Sequence, residues 1–161
     1  MANVRLGSTN IIVNKCGFGG LPIQRIDDEA AEKLLLKAID AGINFFDTGK
    51  TYGDSEVKLG RVLSKVRDKV YIATKTPAKN PEDFWADLNQ SLERLQTDYI
   101  DFYHMWCLLN LDSWEKHMEA LYRFFEEAKA EGLIRNIVFS SHMQGNDIEK
   151  VVETDKFKGM L

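Results

Sequence analysis

The chain has 161 residues, 44% of them hydrophobic and 29% charged, the balance of a soluble globular domain with a buried core. Its formal net charge of -4 is scattered without any block of one sign, which excludes an electrostatic footprint for nucleic acid or an anionic membrane surface. No apolar run reaches the roughly 18 residues of a spanning helix and no basic-then-apolar leader opens the chain, so a cytoplasmic protein is expected. Cys16 and Cys107 lie far apart without CxxC or Cys/His spacing, so two buried thiols are expected rather than a disulfide or a metal site.

Two short apolar runs, Val4 to Leu6 and Ile11 to Val13, flank Gly7-Ser8-Thr9-Asn10 and predict a β-hairpin. Lys15 to Gly20 follows as a short strand whose Gly17, Gly19 and Gly20 permit a ligand or another backbone to come close, although glycine clusters also serve as plain turns. Asp27 or Asp28 can cap a helix with Ala31, Leu34, Leu35, Ala38 and Ile39 on one face, stopped by Gly42. Ile43 to Phe46 is a buried strand that halts at Asp47. A polar loop through Tyr52 leads to a helical stripe of Leu59, Val62, Leu63 and Val66, then to a strand from Val70 to Ala73 that ends at Thr74-Lys75.

Asn80-Pro81 has the chemistry of an N-cap and first helical position ahead of Phe84, Leu88, Leu92 and Leu95. Tyr99 to Tyr103 is the next strand, closing on His104. Ser113 can cap a helix with Trp114, Met118, Leu121, Tyr122 and Phe125 inward and Gly132 past its end, and His117 on it is expected to be structural. Leu133 to Phe139 forms a strand ending in Ser140-Ser141, Asn146 caps a last helix, and Phe157 to Leu161 opens a further strand.

Strand, loop, helix and turn thus recur about every 30 residues, the βα repeat of parallel sheets. A Rossmann unit would want GxGxxG after the first strand, but Gly17-Phe18-Gly19-Gly20-Leu21-Pro22 lacks the third glycine. A phosphate loop at Gly49-Lys50-Thr51 fails because Asn44 stands where its first glycine belongs. A barrel is therefore favoured over a doubly wound sheet, with five βα units, the start of strand six and an N-terminal hairpin.

In such a barrel the carboxyl ends of the strands share one mouth, which would gather Asp47, Tyr52, Lys75, His104, Ser140 and Ser141. A phenol is a poor acid at neutral pH, with a pKa of about 10, but a neighbouring Lys75 ammonium would stabilise the phenolate while Asp47 keeps Lys75 charged and in place. His104 could orient a carbonyl oxygen, and the hydride must come from a cofactor. Each residue also has a plainer reading: Asp47 as a turn cap, Tyr52 as a packing aromatic, Lys75 as a solvated loop residue, His104 as a hydrogen-bonded core histidine. Four different strand ends in one place favour the chemical reading.

Phe45-Phe46-Asp47-Thr48 with Tyr52-Gly53, Ile72-Ala73-Thr74-Lys75, Asp98-Tyr99-Ile100-Asp101 leading to His104, and Ile134-Arg135 leading to Ser140-Ser141 resemble the aldo-keto reductases, in order and spacing, over almost the whole chain. The resemblance implies a (β/α)8 TIM-barrel type plugged by its hairpin, of which residues 1–161 would form a single partial barrel domain, and an NADPH- or NADH-dependent reduction of a small-molecule aldehyde or ketone. It implies Tyr52 as general acid, tuned by Lys75 and Asp47, with His104 orienting the carbonyl. Gly19, Gly20, Asp47, Ser140 and Ser141 would border the cofactor, and Glu56 matches an acid facing the site. Ser141 stands where many members have Asn and Val138 where a Gly is common. The stretch from Tyr99 to Glu115, particularly Leu111 to Glu115, is similar to a microbial subgroup whose longer members carry C-terminal iron-sulfur cysteines. A complete barrel needs about 250 residues, so the alternative to a reductase is a non-catalytic half-barrel fragment that self-associates through exposed edges and binds cofactor weakly or not at all.

Overall fold

A computed structural model describes residues 2–7 and 9–161, with Cys107 as backbone only. The chain opens with the antiparallel pair β1 (Asn3–Arg5) and β2 (Ile12–Asn14), Val4 facing Val13 across it. Ser8, in the expected turn, lies outside the described residues. Then follow β3 (Phe18–Gly19), α1 (Asp28–Asp40), β4 (Phe45–Asp47), α2 (Ser55–Leu63), β5 (Tyr71–Thr76), α3 (Pro81–Leu95), β6 (Ile100–Leu108), α4 (Leu111–Ala130), β7 (Ile134–Ser141) and α5 (Gly145–Val152). Leu21–Arg25 and Ser64–Lys69 are 3-10 turns. Among the described residues no helix is long and apolar enough to cross a membrane.

The sheet order is β3-β4-β5-β6-β7, every neighbouring pair parallel. A doubly wound sheet reverses direction about a central strand, whereas here each strand is laid beside its predecessor, the winding of a TIM-type barrel. Beyond β7, Phe139 bridges Met160 in parallel, and the Leu161 N–H donates to Phe139 O at 3.0 Å, so the expected sixth strand begins where the sequence places it.

Helix ends follow side-chain chemistry. Asp27 accepts from Ala30 N at 2.8 Å and Asn80 from Asp83 N at 2.9 Å, while Gly42 and Gly132 sit just past α1 and α4 at φ +83 and +80. Two expected caps are corrected. Asn110, not Ser113, caps α4, its Oδ1 accepting from Ser113 N at 2.8 Å, which leaves Ser113 inside the first turn. Helix α5 starts at Gly145 with Gln144 in the cap position, so Asn146 is already helical. Val66 departs from helical geometry at φ -135 and lies in the turn after α2. Leu34, expected on the inner face of α1, is exposed. Cys16 is exposed too, correcting the expected buried thiol; the Cys107 side chain lies outside the described residues.

Two apolar layers hold the sheet. On the helix side, Phe84 anchors a ring cluster with Tyr103 at 5.9 Å and Phe125 at 4.8 Å between centroids, all three fully buried. On the inner side, Ala73, Phe102 and Val138 pack with Phe45 and Tyr71, and Leu6 and Ile11 from the N-terminal hairpin close over them. The hairpin is tied to the amino end of the sheet: Asn14 N donates to Asn44 Oδ1 at 2.8 Å, and Asn44 Nδ2 returns a bond to Ile12 O at 3.1 Å. It plugs the face opposite the mouth.

Candidate active site

Strand β4 ends because the residues after Asp47 turn over the end of β5. Thr48 N donates to Ala73 O at 2.8 Å and Lys50 N to Lys75 O at 3.2 Å, extending the ladder along the loop. Gly20 docks on the same strand end, its N–H on Asp47 O at 2.6 Å. A Cβ on Gly20 would fall 2.8 Å from both Asp47 O and Ser55 Oγ, so no larger residue fits. The Ser55 hydroxyl gives its single proton to Gly20 O at 2.8 Å, which leaves Thr48 Oγ1 to donate to Ser55 Oγ, also at 2.8 Å. This lattice fixes where Asp47 emerges.

Lys75 Nζ lies 2.6 and 2.7 Å from the two carboxylate oxygens of Asp47 and 2.6 Å from Thr48 O. The ammonium has three N–H donors, and the two Asp47 oxygens and Thr48 O are acceptors for them. Lys75 is 2% exposed and Asp47 19% by side chain. Burial pushes the Asp47 carboxyl up and the Lys75 amine down, and each partner's charge opposes that shift in the other. Tyr52 stands over the pair, its ring centroid 5.3 Å from Lys75 Nζ. The cation thus sets a positive charge against the phenol ring. The Tyr52 ring also rests on Gly49, where a Cβ would come within 3.2 Å of Cε1 and Cζ.

His104 is not at a strand end: β6 runs on to Leu108, so the expected stop at Tyr103 is corrected, and a bulge between Met105 and Leu108 carries the strand past it. His104 sits beside Lys75 in the parallel register and is 5% exposed. Burial first and the Lys75 charge second hold its pKa down at about 3, with a backbone bond to Phe139 working the other way, so the imidazole is neutral. Its Nδ1 has no partner among the described residues. Asp47, His104, Phe45, Phe102 and Val138 line a cavity of about 250 Å³ that reaches down to Leu6.

The two serines part company. Ser140 is buried and, two residues beyond Val138, lies on the inner face of the sheet. Ser141 uses its hydroxyl to bind Leu108 O at 3.0 Å and to accept from Met143 N at 2.9 Å, locking the turn after β7. Gly19 is exposed, with open space around the place of a Cβ, whereas Gly20 is filled by packing. Glu56 does not face the mouth. Its carboxylate accepts from Thr74 Oγ1 at 2.7 Å and pairs with Arg94 at 3.5 Å in the layer between the sheet and α3. His117 turns its Nδ1 to Ser113 O at 2.6 Å.

Sequence reasoning missed two groups. One is the polar seam of Lys50, Thr76, Asp87 and Arg94 outside the barrel wall, which Glu56 joins. The other is Trp106, which with Pro77, Lys79 and Leu109 lines a cavity of about 360 Å³ beside the ends of β5 and β6. Trp106 lies two residues past His104, a spacing visible in the chain once β6 is known to extend that far.

A one-directional parallel sheet with a buried Asp–Lys pair under a tyrosine at its carboxyl end defines a barrel-type domain with a built polar centre. A profile of the Aldo/keto reductase family matches residues 15–160, and the chain belongs to that family. It is 30% identical to the uncharacterized oxidoreductase YqkF of Bacillus subtilis over all of this chain and 55% of that protein. It is 28% identical to an aldo-keto reductase of Mycobacterium avium over 85% of this chain and 48% of the relative. The holo form of an aldo-keto reductase of Bacillus halodurans superposes with a TM-score of 0.80 at 28% identity, covering 95% of this chain and 54% of the other. The chain thus spans about half the length of these relatives.

Proposed function

We propose that this chain carries the acid-base centre for reducing an aldehyde or ketone to an alcohol with NADPH or NADH, Tyr52 being the general acid. The observation that carries the reading is the buried Lys75 ammonium, neutralised by Asp47 and set 5.3 Å from the centroid of the Tyr52 ring. A positive charge fixed beneath a phenol favours its anion, which is the state Tyr52 must reach when its proton passes to the carbonyl oxygen. The nicotinamide, when bound, supplies the hydride that the carbonyl carbon receives. Open space at Gly19, paired with Asp47 across β3 and β4, leaves room for such a group beside the strand ends. His104, neutral at any ordinary pH, offers a ring nitrogen from the cavity wall to orient the carbonyl without competing for the proton.

The test is NADPH consumption by this polypeptide with 4-nitrobenzaldehyde, wild type against Tyr52→Phe. The variant is expected to lose about a hundredfold or more of kcat, the scale of a general acid; near-normal turnover removes Tyr52 from that role. The competing reading, a non-catalytic half-barrel that self-associates, draws on the exposed Leu109, Met160 and Leu161. It forecasts concentration-dependent sedimentation and weak or no cofactor binding.

A further inference from the structure

The loop that carries Tyr52 is held from outside the barrel as well as from within. Lys50, two residues before Tyr52, extends its side chain away from the mouth and forms an ion pair with Asp87 of α3. Asp87 is almost fully buried, and its second oxygen accepts from Thr76 Oγ1 at 2.6 Å. Thr76 is the residue after Lys75 at the end of β5. One carboxylate on a helix therefore binds both the loop that presents the proposed acid and the strand end that presents the proposed cation. Seven residues further along the same face of α3, Arg94 reaches Lys50 O at 3.5 Å and Glu56 at 3.5 Å. The loop segment is thus gripped at its side chain by Asp87 and at its carbonyl by Arg94. Nothing in the Asp47–Lys75 contacts requires this; that pair is saturated on the inner side alone.

We propose that Asp87, acting through Lys50 and Thr76, is a positioning residue that fixes the Tyr52 loop relative to Lys75. The proposal rests on the carbonyl-reduction reading for its catalytic consequence but not for its structural one. Asp87 touches neither the reacting groups nor the cavity. It sets the separation between two strand ends whose side chains must meet, and a displacement of about an ångström at such a place costs on the order of a hundredfold in rate. A buried carboxylate with one charged and one hydroxyl partner is directional, so loss of the charge alone frees the loop while the Thr76 bond survives.

The test uses Asp87→Asn, which keeps the shape and the bond to Thr76, and Lys50→Met, which acts from the more exposed side and guards against a folding failure of the first. Amide hydrogen exchange in the wild-type chain and both variants reads the loop directly. The N–H groups of Lys50 and Tyr52, bonded to Lys75 O and Gly49 O, are expected to exchange about tenfold faster in both variants, while Ile72 and Ile100 stay as they were. The double variant should add little to either single change, since both remove one interaction. With NADPH and 4-nitrobenzaldehyde, kcat should fall and KM should hold, and Asp87→Glu should restore part of kcat. Unchanged exchange at Lys50 and Tyr52 in both variants overturns the proposal, and so does faster exchange with an unaltered kcat. If the wild type consumes no NADPH, the carbonyl-reduction reading fails by itself and the exchange result still decides the brace.

Discussion

At the residue scale, the centre depends on what is absent at Gly49 as much as on what is present at Lys75. The ammonium spends its donors on Asp47 and Thr48 O, so its position is set before any ligand arrives, and Tyr52 must be brought to it. The Tyr52 ring gets there by lying on Gly49. An alanine at 49 meets no positive-φ penalty, but its Cβ would stand 3.2 Å from the ring and displace it by a few tenths of an ångström. Gly49→Ala should therefore leave stability within about 1 kcal/mol of wild type, since alanine also restrains the unfolded chain. It should lower kcat about tenfold by misplacing the proposed acid. Urea denaturation and steady-state kinetics on the same preparation separate the two effects; a stability loss with unchanged kcat would mean that the ring position is immaterial.

At the element scale, register is what brings Lys75 beside His104, and a staple at the amino ends of β5 and β6 sets it. Asp101 Oδ2 accepts from Arg67 Nη2 at 2.6 Å and from Ile72 N at 3.0 Å, joining the two strands. Arg67 also donates to Tyr99 O and Val70 O, and its guanidinium lies 3.9 Å from the Tyr99 ring centroid. Asp101→Ala strands a 13% exposed guanidinium and a buried N–H, which should cost about 3–5 kcal/mol. Arg135→Ala removes a partner 55% exposed and 3.8 Å from Asp101, worth under about 1 kcal/mol. Urea midpoints of the two variants check the contrast.

The same comparison shows which features the chain's own order reveals. Asp27, Asn80, Gly42 and Gly132 mark helix ends by local chemistry, so they are legible. So is the placement of Asp47 and Lys75 at the carboxyl ends of β4 and β5, because each follows an apolar strand run. The true end of β6 is not legible. Met105 and Leu108 are held in the strand by pairing with Phe139 and Ser141 across a bulge, a tertiary fact that moved His104 from strand end to barrel wall. Asp87 and Arg94 read as ordinary helix-surface charges until Lys50 and Glu56, dozens of residues earlier in the chain, are folded against them.

At the scale of the whole molecule, the inner cavity makes folding sensitive to acid. His104 sits in its wall beside Lys75 and Asp47, with Phe45, Phe102 and Val138 around it, and burial holds its pKa at about 3 against the ordinary 6.5. The unfolded chain therefore takes up a proton near 6.5 that the folded chain refuses. Stability from this residue is complete above that pH and is lost as pH falls through the window towards 3, with a slope of at most about 1.4 kcal/mol per pH unit. Asp47 acts in the opposite sense, since burial raises its folded pKa above 3.8 and lets the folded state bind a proton first. Lys75, lowered from 10.5, makes itself felt on the alkaline side. Between pH 7 and 5 the His104 effect should therefore amount to a loss of about 1–2 kcal/mol in urea denaturation. His104→Leu, which places an apolar side chain against Phe102 and Val138, should flatten that slope. A decline of equal size in the variant would assign the acid sensitivity to other groups and leave the buried imidazole without a part in it.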